Sequence, residues 1–371
     1  MIKINGNYIE GGGQIIRTAL ALSTLTNQSF EIKNIRKGRG KPGLKQQHLT
    51  AVKTLKELCN AKVKGDELGS EKLIFKPGKI KFKNLKIDIK TAGSITLLLQ
   101  SLLPVLIFSD KKLKIEIIGG TDTLGSMPVD YLTNVFLLHL QKYAKIKTKL
   151  VKRGYYPKGQ GKLEIIIIPK YFIKNHKTFN KLHKFLLNEN NKINLLGQGN
   201  ILAIKGVSHA SKNLMKSNVA ERQAKTASYL LNKFDCPKDI QIEHVESLST
   251  GSGITLYAMY SKGLEFSNDN PIVIGADALG KRGKSAEKVG KEAALKLVNE
   301  IESNAPVDKY LGDQLLPYLA LFGGKFKVSK VTNHLKSNRY VIKKFVNSNI
   351  KIKKNIIEFL LFIFSYILKF F

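Results

Sequence analysis

Glycine and acidic or basic side chains cluster near the start of the chain in a pattern that could bind phosphate. Glu10 precedes three glycines at positions 11–13, and a helix-like segment containing Arg17 follows them. Glycines before a helix allow backbone N–H groups to approach an anion at the N-terminal end of that helix. The spacing matches neither the dinucleotide-binding fingerprint nor the P-loop. Taken alone, the cluster could equally be a tight strand-to-helix turn.

A second cluster, residues 34–43 with the sequence NIRKGRGKPG, interleaves basic residues with glycine and proline. Arg36 and Arg39 carry planar guanidinium groups that suit phosphate recognition, and His48 follows on the next predicted helix. A solvated charged loop is the alternative interpretation. Because arginine is denser here than in most of the chain, the sequence favours a phosphate-binding loop.

Chemistry-bearing residues also occur together near the C-terminus. Tyr310, Asp313 and Gln314 fall within five residues, and His334 lies twenty residues beyond Gln314. A histidine can act as a nucleophile or as a general acid or base. The chain has seven histidines, so chemistry alone does not single out His334.

Length and composition indicate a globular protein with a polyanionic partner. The 371 residues are 43% hydrophobic, which is enough for roughly two domains. A formal net charge of +34 favours nucleic acid or a membrane surface, although a lysine-rich composition alone would also produce it. Cys59 and Cys236 are far apart, which argues against a disulfide scaffold and a cysteine-rich zinc site. With no apolar run at the N-terminus, we expect a cytoplasmic protein.

Hydrophobic periodicity predicts an α/β (α+β) fold. The first 170 residues contain two β-α-β-α-β-β units of about 80 residues each. Residues 171–191 are polar and are predicted to be a connector. A β-α-β-β segment follows, which could be a small inserted domain, and a long helix is predicted over residues 284–303.

The C-terminal segment, residues 356–371, is almost wholly apolar and is interrupted by Glu358 and Lys369. Its longest uncharged run is shorter than the roughly 20 residues that span a bilayer. We therefore expect it to be buried within the chain or between subunits, and we expect no stable membrane partner. A homodimer is a further expectation.

Eight ordered segments between Glu10 and Phe345 resemble the RNA 3′-terminal phosphate cyclase family. They are EGGGQIIRTALALS, IRKGRGKPGLKQQHLTAV, TAGSITLLLQSLLP, GGTD, RGYYPKGQG, NVAER, YLGDQLLPYLAL and the segment around His334. The resemblance implies three repeated β-α-β-α-β-β units that form a large domain, with a small inserted α/β domain. The expected boundaries are residues 1–185 and 305–371 for the large domain and 186–304 for the insert.

The resemblance also implies a reaction. The family converts an RNA 3′-phosphate into a 2′,3′-cyclic phosphate, consuming ATP with Mg²⁺ or Mn²⁺. A histidine first takes AMP from ATP and releases pyrophosphate. AMP then passes to the RNA 3′-phosphate, and the neighbouring 2′-hydroxyl attacks the activated phosphorus and expels AMP. AMP is a far better leaving group than a phosphate oxygen, and the last attack is intramolecular.

Site residues are carried over from the family position by position. His334 falls on the histidine that receives AMP, and Glu10 falls on an acidic residue near metal and phosphate. The positions expected to contact the RNA terminal phosphate are Arg17, Arg36, Arg39 and His48. Those expected to contact ATP are Gln100, Tyr310, Leu311, Gly312, Asp313 and Gln314. Met127 departs from the family pattern, which often has proline there beside the adenine.

Two other functions are alternatives to RNA cyclisation for a chain of this kind. A non-catalytic relative acting in RNA processing or ribosome assembly would keep the fold but lose the histidine and the nucleotide-binding residues, whereas this chain retains them. A transferase of the enolpyruvyl type shares the repeated unit, but the basic loop at residues 36–41 and the histidine argue against it.

Overall fold

The computed structural model describes residues 1–263, 265–346 and 348–360. Its first unit contains two parallel strands, an antiparallel pair and two helices. They are β1 (Ile2–Asn5), α1 (Gln14–Thr26), β2 (Phe30–Lys33), α2 (Gln46–Leu58), β3 (Lys62–Lys64) and β4 (Leu73–Lys76). The sheet order is β1-β2-β4-β3, with β1 parallel to β2 and β4 antiparallel to both of its neighbours.

The second unit repeats this topology. Its elements are β5 (Leu85–Asp88), α3 (Ile95–Leu106), β6 (Leu113–Gly119), α4 (Val129–Tyr131), β7 (Ala144–Lys152) and β8 (Gly161–Pro169), and the sheet order is β5-β6-β8-β7. The sequence predicts one helix over residues 129–143. Instead, α4 continues into a π turn, Leu132–Phe136, and a 3₁₀ turn, Leu137–Leu140, so the helical segment is irregular.

The segment predicted to be a connector, residues 171–191, is helical in part, so that prediction is wrong. It contains α5 (Phe179–Asn188), which buries Leu182, Leu186 and Leu187 against the core. Thr178 caps this helix, because its side chain accepts a hydrogen bond from the backbone N–H of Lys181. Because lysine and asparagine are abundant in this segment, its composition does not reveal the apolar face of α5. β9 (Ile193–Leu195) follows.

An insert with its own sheet comes next. Its elements are β10 (Asn200–Ser211), α6 (Val219–Leu231), β11 (Lys238–Val245), β12 (Ser252–Ser261), β13 (Ile272–Leu279) and α7 (Ala286–Glu302). The strand order is β11-β10-β12-β13, with β10 parallel to β11 and the other pairs antiparallel. Helices α6 and α7 pack against each other and against this sheet.

The third unit combines β9 with elements that follow the insert. These are α8 (Leu311–Phe322), β14 (Gly324–Lys327), α9 (Asn333–Phe345), β15 (Asn349–Lys353) and β16 (Ile356–Leu360). The order β9-β14-β16-β15 is the same as in the other two units, with β9 parallel to β14. The α/β fold with three repeated units and one insert is therefore confirmed, whereas the exact domain boundaries remain predictions.

Part of the apolar C-terminal segment lies in this third sheet. Strand β16 pairs with both β14 and β15, and Ile357 and Phe359 are buried. Residues 361–371 of the predicted tail lie outside the described residues. Among the described residues, no helix is both long and apolar enough to cross a membrane.

Helices from the three units pack together at the centre of the molecule. Helix α1 contacts α3 and α9, and α8 contacts α3 and α9. All thirteen residues of α1 are buried, because partners surround it. The packing brings the N-terminal turns of α1, α8 and α9 close together, and most of the predicted site residues lie in or beside these turns.

Candidate active site

A cavity of about 870 Å³ lies where the three units and the insert meet. This volume suits a nucleotide-sized ligand. Eight cationic side chains and three carboxylates line the cavity, so it is strongly electropositive. Nine of the predicted site residues line it: Arg17, Arg36, Arg39, His48, Gln100, Tyr310, Asp313, Gln314 and His334.

His334 occupies the first turn of α9, where Thr332 caps the helix by accepting a hydrogen bond from the backbone N–H of Leu335. Its Nε2 lies 2.9 Å from Glu10 Oε1, and its Nδ1 lies 3.7 Å from Asp313 Oδ2. The side chain is 45% exposed to the cavity and solvent. The imidazole is therefore accessible to a ligand while carboxylates orient it on both sides.

Glu10 is positioned by residues of α1 and α9. Its Oε1 accepts a hydrogen bond from Gln14 Nε2 at 2.9 Å, and Gln14 Nε2 also contacts Ser337 Oγ at 2.7 Å. Glu10 Oε2 lies 3.9 Å from an Arg39 guanidinium nitrogen. Glu10 thus joins the basic loop to His334, although it does not itself line the cavity.

The side-chain oxygens beside His334 are of the kind that coordinate a hard divalent cation. Glu10 and Asp313 supply carboxylates, and Gln14 Oε1 is buried without a hydrogen-bond partner among the described residues. Mg²⁺ is usually held by one or two carboxylates together with substrate phosphates and water. Gly12 keeps this region open, because a Cβ at that position would lie 1.9 Å from Gln14 Oε1.

Arg17, which is buried, and Gln100, which is half-buried, form a pair across α1 and α3. Arg17 Nε donates a hydrogen bond to Gln100 Oε1 at 3.0 Å, which orients the guanidinium toward the cavity. Burial lowers the pKa of Arg17 to about 10, against the attraction of Asp313. Arg17 therefore remains a cation at neutral pH.

His48 presents a neutral N–H group to the same region. Burial lowers the pKa of His48 well below its ordinary value, and the cations Arg17, Arg36 and Lys45 lower it further. His48 Nδ1 accepts a hydrogen bond from the backbone N–H of Lys45 at 3.2 Å, which places the proton of the neutral ring on Nε2. That atom is buried without a partner among the described residues.

Gly13 lies against this nitrogen and leaves the space beside it free of a side chain. A Cβ at position 13 would lie 2.4 Å from His48 Nε2 and 3.0 Å from an Arg17 guanidinium nitrogen. Helix α1 begins directly afterwards, and Gly13 supplies no side-chain cap. The glycine therefore leaves a cradle lined by an imidazole N–H, a guanidinium and the N-terminal end of a helix, which suits an anion.

The basic loop is held in a fixed shape by its own arginine. Arg36 has φ +54°, and its guanidinium donates hydrogen bonds to the carbonyl oxygens of Lys41 at 2.8 Å and Gly43 at 3.3 Å. Asn7 Oδ1 accepts a hydrogen bond from the backbone N–H of Gly38 at 2.8 Å. Burial, together with the charge of Arg39, lowers the pKa of Arg36. These contacts place Arg36 and Arg39 on one wall of the cavity.

The start of α8 forms another wall. The Tyr310 ring is 41% exposed, and Lys309 Nζ lies 5.0 Å from its centroid. Gln314 Nε2 donates a hydrogen bond to the carbonyl of Tyr310 at 3.0 Å, and Gln314 Oε1 is buried without a partner among the described residues. An exposed ring beside an unsatisfied amide oxygen suits a base that stacks and donates hydrogen bonds.

Leu311 and Gly312, which the sequence assigned to nucleotide contact, face the core rather than the cavity. Leu311 is fully buried among apolar residues. A Cβ at Gly312 would lie 2.7 Å from Val328 Cγ2, so glycine here allows α8 to pack closely against its neighbour. Neither residue lines the cavity.

Asp308 fixes the orientation of this helix start. One of its carboxylate oxygens accepts hydrogen bonds from the backbone N–H groups of Tyr310 and Leu311, both at 2.9 Å. The other accepts from the backbone N–H of Gly275 in the insert at 3.0 Å, and the Tyr131 hydroxyl donates to the carboxylate at 2.8 Å. Burial raises the pKa of Asp308 to about 7, and Glu300 contributes. This carboxylate joins the insert to the turn that carries Tyr310.

Residues of the insert that sequence reasoning missed complete the cavity. They lie at the end of β13 and on the following turn and helix: Asp277, Lys281, Lys284, Glu292 and Lys296. Burial raises the pKa of Asp277 to about 6. The segment GKRGKS, which directly follows β13, has the same glycine-basic character as residues 34–43, and that signal could have identified it.

A second polar cluster lies apart from the cavity, between the second unit and the insert. Arg153 binds Asp130 through two hydrogen bonds, at 2.8 and 3.0 Å, and Glu243 at 2.8 Å. Asp122 lies 3.4 Å from Arg153 and 3.3 Å from His209. Asp122, Asp130 and His209 are close enough to share a metal ion, but the Arg153 guanidinium already forms ion pairs with both aspartates. Through Arg153 and Glu243, these ion pairs join the second unit to the insert.

Comparisons with known proteins place the chain in a family. A family model described as RNA 3′-terminal phosphate cyclase matches residues 8–352. A protein of that name from Pyrococcus abyssi is 44% identical over 347 residues, which is 93% of each chain. One from Pyrococcus furiosus is 43% identical over 96% of this chain and 97% of its own, and one from Methanosarcina acetivorans is 42% identical over 95% and 97%. The resemblance drawn from the sequence is thereby confirmed, and the chain belongs to the RNA 3′-terminal phosphate cyclase family.

Proposed function

We propose that this protein converts RNA 3′-terminal phosphates into 2′,3′-cyclic phosphates, using ATP through a histidine–AMP intermediate. The observation that carries the proposal is the position of His334. Its imidazole opens into an electropositive cavity and is held between the carboxylates of Glu10 and Asp313. The curated relatives are named for the same activity, which supports the substrate class.

His334 is the nucleophile in the first step. A ring nitrogen attacks the α-phosphorus of ATP, a P–N bond forms, and the P–O bond to pyrophosphate breaks. Glu10 contacts one ring nitrogen and so stabilises the positive charge that develops on the imidazole. Tyr310 stacks on the adenine. A Mg²⁺ or Mn²⁺ ion held by Glu10 and Asp313 would neutralise negative charge on the phosphates.

The basic side of the cavity then holds the RNA end. Arg17, Arg36 and Arg39 supply charge, and the neutral His48 donates its Nε2–H to a phosphate oxygen. The RNA 3′-phosphate oxygen attacks the phosphorus of the histidine–AMP and frees the imidazole. Because the cavity holds the RNA end, the neighbouring 2′-hydroxyl stays close to the activated 3′-phosphorus. The hydroxyl then attacks that phosphorus, and AMP leaves.

Two assays test this proposal. The protein is incubated with ATP labelled on the α-phosphate, and we expect a covalent adduct that is labile in acid and stable in base. In the second assay, a short RNA with a 3′-phosphate should become resistant to phosphatase only when ATP and a divalent cation are present. A protein that binds RNA but gives neither result would instead be a non-catalytic relative.

Replacing Arg36 or Arg39 by alanine should impair the RNA step more than the ATP step. Each charge-assisted contact to phosphate contributes about 1.5–3 kcal/mol, so the apparent affinity for the RNA end should fall by roughly one to two orders of magnitude. Adenylation of the protein should change much less. Both quantities are measured on the same preparations, with ATP and RNA titrated separately.

Lys37→Ala is the matched control for these variants. Lys37 belongs to the same loop and carries the same charge, but its side chain does not line the cavity. An equal loss in Lys37→Ala would show that only the net charge of the loop matters. Equal damage to both steps in Arg36→Ala would place that side chain at the ATP phosphates.

A further inference from the structure

The cavity wall formed by the insert carries basic side chains to which the steps above give no role. We propose that Lys281 and Arg282, on the turn between β13 and α7, bind backbone phosphates of the RNA upstream of its 3′ end. This inference rests on the proposed function and adds a path for the RNA strand. It makes the insert a substrate-binding element.

The turn is built to present its tip in a fixed position. The backbone N–H of Lys284 donates a hydrogen bond to the carbonyl of Lys281 at 3.0 Å, and Gly283 has φ +80°. At the base, the N–H of Gly280 donates to the carbonyl of Ser252 at 2.9 Å. A Cβ on Gly280 would lie 2.1 Å from Ser252 Oγ, so the turn packs closely on β12. A preorganised turn loses little entropy when it binds a ligand.

Neighbouring lysines on the same wall are already paired. Lys284 Nζ contacts Glu292 Oε2 at 2.5 Å and the carbonyl of Leu279 at 3.3 Å. Lys296 Nζ contacts Glu292 Oε1 at 2.8 Å and the carbonyl of Asp277 at 2.9 Å. The two lysines thus share the carboxylate of Glu292, and these contacts hold them against the insert.

Lys281 and Arg282 differ from them. Both are exposed, and within the part of the chain that the structure describes neither has a carboxylate within 4 Å. Lys281 lines the cavity, and Arg282 follows it toward solvent. The wall thus offers two uncompensated cations in a row, one at the cavity and one outside it.

An RNA strand that leaves the cavity explains the two uncompensated cations better than ATP does. In the proposed mechanism, ATP contacts Tyr310, Gln314 and His334, and the terminal phosphate contacts Arg36 and Arg39, which also line the cavity. Every further nucleotide of RNA adds a phosphate that must pass between these walls. Two adjacent cations that contact the RNA phosphates, and not the base edges, bind RNA of any sequence. Other proteins that bind single-stranded nucleic acids use the same kind of contact.

The test uses the double variant Lys281→Ala/Arg282→Ala and two RNAs with 3′-phosphate ends, a dinucleotide and a dodecanucleotide. Binding is measured at several salt concentrations by fluorescence anisotropy. For the dodecanucleotide we expect a dissociation constant about tenfold higher and a salt dependence reduced by about one to two released counterions. Under this proposal the dinucleotide is too short to reach the turn, so it should bind as it does to the unmodified protein.

Lys62→Ala/Lys76→Ala is the control, because this exposed cross-strand pair carries the same charge and lies outside the cavity lining. An equal loss in the control, or an equal loss for both RNA lengths, would overturn the inference. Loss of self-adenylation in Lys281→Ala/Arg282→Ala would assign the turn to ATP instead and also overturn it. Failure of the unmodified protein to cyclise RNA would reject the proposed function, whereas the binding comparison is independent of catalysis.

Discussion

Replacing His334 by alanine is expected to reduce transfer of AMP to the protein to the background level, a loss of at least about three orders of magnitude. The reason is that the variant removes the reacting atom and not merely a contact. Within the described ranges, no other imidazole combines exposure to the cavity with carboxylates on both sides, since His48 is buried and has a strongly lowered pKa. The measurement is covalent label from ATP carrying α-³²P.

Two histidine variants serve as controls. His176→Ala removes an imidazole that does not line the cavity and should leave labelling unchanged. His48→Ala should retain labelling but lose cyclisation of RNA, because that ring donates to the RNA phosphate in the proposed mechanism. Label on a folded His334→Ala protein at the level of the unmodified protein would assign the nucleophile to another residue.

Much of this site could be predicted from the sequence because its residues lie at the starts of helices. Glycines before α1, a basic loop before α2 and the Tyr310–Gln314 segment of α8 are short, local patterns. Each of them determines its own backbone geometry. What brings them together is the packing of α1, α3, α8 and α9, which follows from their apolar faces.

Pairings and contacts between distant parts of the chain could not be predicted in the same way. Strand β9 has only three residues and pairs with β14, which lies far along the chain beyond the insert. Local periodicity contains no information about such a pairing. The same limit applies to Asp308, whose carboxylate joins Gly275 of the insert to the start of α8. Contacts of this kind depend on the tertiary arrangement and have no local sequence signal.

Replacing Arg153 by alanine is expected to lower the free energy of unfolding by about 3–5 kcal/mol, because it leaves three carboxylates near one another without their shared cation. The guanidinium is 1% exposed and contacts Asp122, Asp130 and Glu243. Burial would raise the pKa of Asp122, but His209 and Arg153 outweigh it and hold that pKa well below its usual range. The measurement is urea unfolding followed by circular dichroism.

The loss in Arg153→Ala should also depend on pH. Without the guanidinium, only His209 opposes the effect of burial, so the pKa of Asp122 in the folded state should rise from its depressed value. The unmodified protein gains stability as the pH rises through that depressed pKa, so the deficit should grow with rising pH and shrink in acid. Arg222→Ala is the matched control, because Arg222 makes a similar two-point contact with Glu287 at 2.6 and 3.0 Å but at the exposed surface. Its loss should be much smaller, since solvent screens an exposed pair. Equal losses in the two variants would mean that the cluster around Arg153 does not hold the insert to the second unit.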